Sequence, residues 1–383
     1  MSRKIRMGMI GGGRGAFIGG VHRMAAALDG QIELVCGSFS SDPERSKFSG
    51  QDLYLNPDRV YGSFKEMIER ESALPAEDKI DLISIVTPNH LHFEPAKMAL
   101  EHGFHVICDK PLTFNLEEAY QLKKIVNNAD RIFALTHNYT GYPMVKQAKH
   151  LVQNGHLGKI RKVIIEYSQG WLATLLEATE QKQASWRTDP TKSGIAGAMG
   201  DIGTHAENLA EYITGLKIKA LCADINTMVE GRKLDDDGNV LLKFENGASG
   251  ILVASQISNG EENSMNIRIY GEKAGLEWQQ MEPNTLRIKY QDKPDEIYRT
   301  GVGALCTSAQ AHTRLPGGHP EGFLEAFANI YRNVAYCIQA SIENEEVDPI
   351  YQDFPTISDG VRGMEFIYKV IESGRSEMKW LEL

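Results

Sequence analysis

The chain has 383 residues, 42% hydrophobic and 24% charged, a globular balance that argues against a fibrous or disordered protein. A chain this long exceeds what one core usually serves, so two domains are expected. The net charge of -10 leaves no basic face for nucleic acid and works against anionic membranes. The apolar stretch near the N-terminus is broken by glycines and reads as neither a signal segment nor a membrane span. Cys36, Cys108, Cys222, Cys306 and Cys337 form no CxxC pair, which predicts reduced thiols and a cytoplasmic setting.

Taken in chain order, the first third alternates regularly. Apolar runs at 5–10, 32–36, 81–86, 104–108 and 132–136 read as strands. Helical stretches follow at 20–28, 94–102 and 116–127, and Asp42-Pro43-Glu44 reads as a capped helix start. Near-continuous apolar strands alternating with helices predict a parallel sheet covered on both faces, a doubly wound Rossmann domain over residues 1–140. Beyond about residue 158 the pattern changes. Strands at 160–167, 220–228, 240–244, 250–256, 265–270 and 286–290 are separated by turn pairs such as Asp237-Gly238, Asn246-Gly247 and Asn259-Gly260. These predict an open, mostly antiparallel sheet in an α+β domain over 141–383. Helices are expected at 204–212, 322–341 and 355–372, with the last expected to pack back on the first domain.

The segment GMIGGGRGAFIGG follows the first strand and opens a helix. Gly11, Gly12, Gly13 and Gly15 let the backbone turn tightly and approach a pyrophosphate, and the helix beginning near Ala16 and Phe17 offers free N–H groups and a favourable dipole. The spacing is not a plain GxGxxG, since Ala16 stands where the third glycine is usual. At the end of the second strand no acid meets the ribose. Ser38 and Ser40 stand there, Asp42 sits at the presumed cap, and Arg45 is close by. Serines with an arginine suit a 2′-phosphate, and serines also suit a free hydroxyl, so NAD and NADP both fit.

Three further segments carry chemistry. IVTPNHLH and HVICDKPLTFN place Thr87, Pro88, Asn89, His92, Asp109 and Lys110 at the C-terminal edge of the parallel sheet, where ligands bind. In GAMGDIGTHAENLAEYITG, Asp201 and His205 are four residues apart and would share a helix face. His205 can exchange a proton near neutral pH, with Asp201 to orient it. His90 and His92 read as structural or cofactor-adjacent. No third and fourth ligand stands beside Asp201 and His205, so no metal is expected.

With these residues in their order, the chain resembles the glucose–fructose oxidoreductase, inositol dehydrogenase and rhizopine-catabolism family, Gfo/Idh/MocA, over nearly its whole length. The resemblance implies a Rossmann domain followed by an open sheet often used for oligomerisation, hence a homodimer or homotetramer. It also implies that Lys110 bonds the reacting oxygen, that His205 moves its proton, that Asp201 supports them and that Tyr139 lines the pocket. A cis peptide between Lys110 and Pro111 is implied as well. Asp109 replaces the usual glutamate, which implies that the contact made at that position is shorter or lost while the lysine stays.

The expected function is therefore hydride transfer between NAD(P) and a secondary alcohol or ketone of a sugar, sugar derivative or cyclitol. Two other readings stay open: glycoside cleavage through transient oxidation by tightly bound NAD, and a non-catalytic cofactor-binding regulator. Substrate recognition is expected from two segments. One is GWLATLLEATEQKQASWRTDPTKSG, with Trp171 and Trp186 to stack on a sugar and Arg187 to bond its hydroxyls. The other is AHTRLPGGHPEG, with His312, Arg314 and His319.

Overall fold

The computed structural model describes residues 3–179 and 181–383, so Glu180 of the first expected recognition segment lies outside the described residues. In chain order the elements are β1 (Ile5–Gly11), α1 (Phe17–Leu28), β2 (Ile32–Ser38), α2 (Pro43–Asp52), α3 (Phe64–Ser72), β3 (Leu82–Val86), α4 (Phe93–Glu101), β4 (His105–Cys108), α5 (Leu116–Asn128) and β5 (Phe133–Leu135). There follow α6 (Pro143–Gln153), β6 (Ile160–Ser168), α7 (Lys182–Arg187), α8 (Pro190–Ser193), α9 (Thr204–Thr214), β7 (Ile218–Asn226), β8 (Asp237–Phe244), β9 (Ser249–Ser255) and β10 (Ser264–Gly271). The chain closes with β11 (Gly275–Gln279), β12 (Thr285–Lys289), β13 (Glu296–Arg299), α10 (Thr307–Ala311), α11 (Phe323–Glu343), α12 (Ile357–Arg375) and β14 (Trp380–Glu382). Two compact units result. One holds the chain up to Asn138 together with Leu324–Val361; the other holds Tyr139–Phe323 and Arg362–Leu383.

The first unit is a parallel sheet in the order β2-β1-β3-β4-β5. Every residue of β3 is buried, as expected of a strand covered on both faces. Its helices start where the sequence offers caps. The Asp42 carboxylate accepts from the N–H groups of Glu44 and Arg45, with Pro43 in the first turn, and Ser63 and Asn115 cap α3 and α5 in the same way. The later segment 324–361 joins this unit through β5, where Leu135 N–H donates to the Pro355 carbonyl.

The second unit is a nine-stranded sheet, β13-β12-β11-β10-β6-β9-β8-β7-β14, antiparallel apart from the β6–β9 pair. β8 alternates strictly: Val240, Leu242 and Phe244 are buried, while Asn239, Leu241 and Lys243 face out. The outward face as a whole mixes apolar Leu241 and Ile297 with the ion pairs Glu166–Arg268 and Glu277–Lys289. It is therefore an amphipathic surface. Asn246-Gly247 and Asn259-Gly260 do turn, with φ of 87° and 93° at the glycines. Asp237-Gly238 does not turn; it opens β8. Gly238 is there for room, since a Cβ on it would lie 2.6 Å from the Met199 sulfur. Among the described residues, no helix is long and apolar enough to cross a membrane.

Candidate active site

In the first unit the site is built mainly of backbone. β1 ends at Gly11, and the turn through Gly15 returns the chain into α1, with φ of 85°, 71° and 74° at Gly11, Gly12 and Gly15. A Cβ on Gly12 would lie 2.8 Å from a Val86 methyl carbon and 2.9 Å from the Gly19 Cα. A Cβ on Gly19 would lie only 2.3 Å from the Gly12 Cα. Gly19 is thus the glycine that lets the helix close on the strand, the role that spacing assigned to position 16. Ala16 is instead the residue before α1, and no side chain caps that helix and no acid sits in its first turn. Gly13 packs beneath the β2–α2 loop, where a Cβ would meet the Phe39 carbonyl at 2.7 Å, and Gly15 faces open space. An uncapped helix start behind a cradle that side chains would fill suits a pyrophosphate.

The residues expected to meet the ribose lie at the end of β2. Ser38 is buried there, and the Ser40 hydroxyl accepts from the Asp42 N–H at 3.1 Å. Asp42 is spent on capping α2, while Arg45 is exposed. Arg14 adds a second cation that composition-level reading passes over, although it stands inside the glycine turn. Its guanidinium pairs with Asp52 and lies 5.1 Å from the Phe48 ring centroid.

The loops after β3 and β4 are tied to each other. Both ring nitrogens of buried His92 face carbonyl oxygens, Nδ1 at 2.9 Å from Pro111 and Nε2 at 2.8 Å from Thr87. Its ring is spent on joining the two loops, and burial holds its pKa down. Asn89 is buried, Pro88 precedes the single turn at 89–91, and the Thr87 hydroxyl donates to the Leu91 carbonyl. The Lys110–Pro111 peptide is cis, as expected. The Asp109 carboxylate accepts from the Lys110 N–H at 2.9 Å and the Thr136 hydroxyl at 2.8 Å. Burial pushes the Asp109 pKa up, but His22, Lys110 and Thr136 outweigh it and leave the group below the usual carboxylate range. His137, which no motif marks, is buried near Lys110; burial first and the Lys110 charge second push it down to about 3.

In the second unit the site is built of side chains. Asp201 does not lie on α9. It sits in a five-residue π-helical turn, Met199–Gly203, that leads into that helix. The turn is held from behind by Asp235, whose buried carboxylate accepts from the Gly197 and Met199 N–H groups at 2.6 and 2.7 Å. Asp201 accepts from Gln256 Nε2 at 2.9 Å and pairs with Arg187 Nε at 3.3 Å. His205 is buried, edge-on to the Tyr139 ring with centroids 4.9 Å apart and tilted against Tyr167 at 6.2 Å.

Around these runs a hydroxyl and amide network that motif reading misses. The Tyr139 and Tyr167 hydroxyls bond each other, and the Tyr167 hydroxyl donates to Asn263 Oδ1 at 2.7 Å. Asn263 Nδ2 donates to the Tyr139 hydroxyl at 3.2 Å, and Gln169 Nε2 donates to Asn263 Oδ1 at 2.7 Å. Trp171 Nε1 donates to Gln169 Oε1 at 3.0 Å. Burial raises the Tyr139 pKa to about 12 and holds Tyr167 well above the ordinary phenol value, so both phenols stay protonated. Of the expected recognition residues, Trp171 thus joins the network, and Arg187 is turned to Asp201 with its guanidinium 4.3 Å from the Trp186 ring centroid. The other segment divides. His312 is fully buried with Nδ1 2.7 Å from the Ser308 carbonyl, Arg314 is tied by its N–H to Glu321, and His319 is exposed, its Nδ1 3.1 Å from the Pro316 carbonyl.

A Rossmann unit with an open glycine cradle, joined in one chain to a sheet unit that carries a buried histidine among phenols and amides, defines a dinucleotide-dependent oxidoreductase. Two family models match: "Oxidoreductase family, NAD-binding Rossmann fold" over residues 5–151, and "GFO/IDH/MocA C-terminal domain" over 145–277. An uncharacterised oxidoreductase of Bacillus subtilis is 34% identical, covering 100% of this chain and 98% of its own. An inositol dehydrogenase homologue from Azotobacter vinelandii, solved with NAD+, is 33% identical with a TM-score of 0.95, over 100% of this chain and 98% of its own. An oxidoreductase from Sinorhizobium meliloti is 44% identical with a TM-score of 0.90, over 99% and 100%. The chain belongs to the Gfo/Idh/MocA oxidoreductase family. Its class is that of NAD(P)-dependent dehydrogenases acting on CH–OH groups.

Proposed function

We propose that this enzyme oxidises a secondary alcohol of a cyclitol, sugar or sugar derivative, or reduces the corresponding ketone. The observation that carries the reading is the network of Tyr139, Tyr167, Gln169, Gln256 and Asn263 around His205 and Asp201, which presents hydroxyls and amides in the density a polyhydroxylated ring requires. The same Azotobacter homologue, solved with NADH and myo-inositol at 33% identity, and a levoglucosan dehydrogenase at 27% identity support it. The bound nicotinamide supplies the acceptor or donor of hydride. Lys110 bonds the reacting oxygen, His205 takes or returns its proton, and Asp201 steadies His205. Gly11, Gly12, Gly13, Gly15, Ala16 and Phe17 hold the pyrophosphate. Ser38, Ser40 and Arg45 meet the adenosine ribose, and Thr87, Pro88, Asn89, His92 and Asp109 form the nicotinamide end. Trp171, Trp186, Arg187 and His319 read the substrate, with Tyr139 beside them.

The outward face of the second sheet, with Leu241 and Ile297 among ion pairs, is the surface on which we place self-association into a dimer or tetramer. Sedimentation as a strict monomer at micromolar concentration would defeat that part. For the activity, the enzyme is mixed with a panel of inositols, aldoses and glycosides, each with NAD+ and with NADP+, and absorbance of the reduced nicotinamide is followed. Net reduction with at least one ring polyol is expected. Glycoside cleavage without net reduction, or cofactor binding with no chemistry on any member, would overturn the reading.

A further inference from the structure

His22, Tyr331 and Ser84 form a polar chain that no motif marks and that the proposed mechanism does not use. All three are fully buried, on α1, α11 and β3 of the first unit. His22 Nδ1 lies 2.7 Å from the Tyr331 hydroxyl, which lies 2.8 Å from the Ser84 hydroxyl. The imidazole is wedged edge-on against Phe327 and Tyr331, with centroids at 4.7 and 5.8 Å, so its ring plane is set. Its other nitrogen, Nε2, has no hydrogen-bond partner among the described residues and faces Asp109 Oδ2 at 3.9 Å.

The donors in this chain can be ordered. An ionised carboxylate only accepts, so in a dry interior the nitrogen facing it must carry the proton; a bare lone pair there would repel it. With Nε2 protonated and the ring neutral, Nδ1 accepts from the Tyr331 O–H, and Tyr331 in turn accepts from Ser84. The opposite order points two lone pairs at each other across the gap to Asp109. A doubly protonated, positively charged ring is opposed by burial, which pushes His22 down to about 4 even though the Asp109 charge pulls the other way and Arg23 and His92 add to the lowering. Every dipole of the chain thus points at Asp109. The other oxygen of that carboxylate holds the Lys110 N–H and the Thr136 hydroxyl.

We propose that His22, fixed as its Nε2–H tautomer by Tyr331 and Ser84, is a positioning residue that orients the Asp109 carboxylate and, through the Lys110 N–H, the turn that aims Lys110. The 3.9 Å separation makes the contact a charge–dipole attraction and not a hydrogen bond. An Asp109→Glu side chain, longer by one methylene or about 1.5 Å of bond, reaches further toward Nε2. The inference rests on the reading of Lys110 as the group that bonds the reacting oxygen, and the test separates the two. Tyr331→Phe keeps the ring that packs on Phe327 and removes only the hydroxyl.

Imidazole nitrogen shifts of the ¹⁵N-labelled protein are expected to show His22 protonated at Nε2 and bare at Nδ1 from pH 5 to 8, with that preference lost in Tyr331→Phe. The pH profile for trace acetylation of Lys110, read by mass spectrometry, is expected to move in Tyr331→Phe while Lys97 and Lys123 keep theirs. With a ring polyol, kcat is expected to fall about tenfold, the worth of one buried hydrogen bond, with the cofactor KM unchanged, and Asp109→Glu added to Tyr331→Phe is expected to restore part of the loss. A Nδ1–H or doubly protonated His22 at neutral pH, or an unmoved Lys110 profile, overturns the positioning role. No turnover of any polyol by the wild type, with the tautomer and labelling results as expected, overturns the functional reading alone.

Discussion

The glycine turn of the first unit and the polar wall of the second are built by different means. The turn works by having nothing there: open N–H groups at an uncapped helix, and positions where a single Cβ collides with backbone. The wall works by side chains from β6, the π-helical turn and the segments beside β6, β9 and β10, joined by hydrogen bonds. A site made of backbone is intolerant of any added atom but indifferent to side-chain chemistry. A site made of side chains tolerates added volume at its edge and fails when one donor or acceptor is deleted.

That contrast breaks first, and by the largest margin, at Gly19. Gly19→Ala puts a Cβ 2.3 Å from the Gly12 Cα, so strand and helix must part. A loss of about 1–3 kcal/mol or more in stability, and of most cofactor affinity, is expected by thermal melting and cofactor titration. Gly15→Ala meets no atom within 4 Å and carries only the strain of φ at 74°, roughly 1–2 kcal/mol. Equal damage from the two would mean that the cradle is not built on close approach.

Asp235 comes next. Asp235→Ala strands two buried N–H groups of the segment leading into the π-helical turn, at about 1–3 kcal/mol each, and Asp235→Asn strands one. The expected order, wild type above Asn above Ala, applies to polyol turnover and to melting temperature, while NAD(P) affinity stays put. An alanine variant with normal turnover would show that the placement of Asp201 does not depend on this clamp.

Acid should find the first unit before any carboxylate does. His22, His105 and His137 are held near 4, 4 and 3 by burial, against an ordinary 6.5. These groups are neutral when folded, so their contribution is fully present above pH 6.5. It is lost as the pH falls toward 4, because the unfolded chain takes up protons that the folded chain refuses. Each costs about 1.4 kcal/mol per pH unit across that window. Denaturant melts at pH 7 and pH 5 measure it, and a flat profile would contradict the burial.

The smallest effects are expected at the recognition segments, and the structure ranks them. Arg187→Ala removes a partner of Asp201 and should raise the substrate KM most, Trp186→Ala less, and His319→Ala least, since that ring is exposed and bonded to a neighbouring carbonyl. None should shift cofactor affinity. A reversed order would place specificity in the 311–322 loop.

The same contrast explains what the chain discloses to a reader of its sequence. The turn at 11–15 and the cap at Asp42 are made by neighbours in sequence, so they are legible there, whereas the cis Lys110–Pro111 peptide is reached only through the family resemblance. Tyr167, Gln169, Gln256 and Asn263 are common strand and loop residues until β6 and β9 pair in parallel and β10 returns beside β6, which brings them together. His22 is an ordinary helix residue until Tyr331, 309 positions later, meets it. Asp237-Gly238 misleads for a related reason: its glycine answers to Met199, a packing demand that no local pattern carries. The π-helical turn at 199–203 escapes because no local pattern sets it apart from the α-helix that follows.

The division of labour between the glycine turn and the reacting side chains is tested most directly by Lys110→Met and His205→Ala, each measured for cofactor dissociation constant and for steady-state turnover of the best polyol. Both variants are expected to bind NAD(P) as the wild type does and to lose about 10²–10⁴-fold in turnover. Near-normal turnover in either variant, or a fall in cofactor affinity that matches the fall in rate, would contradict the assignment of binding to the backbone turn and of proton handling to these two side chains.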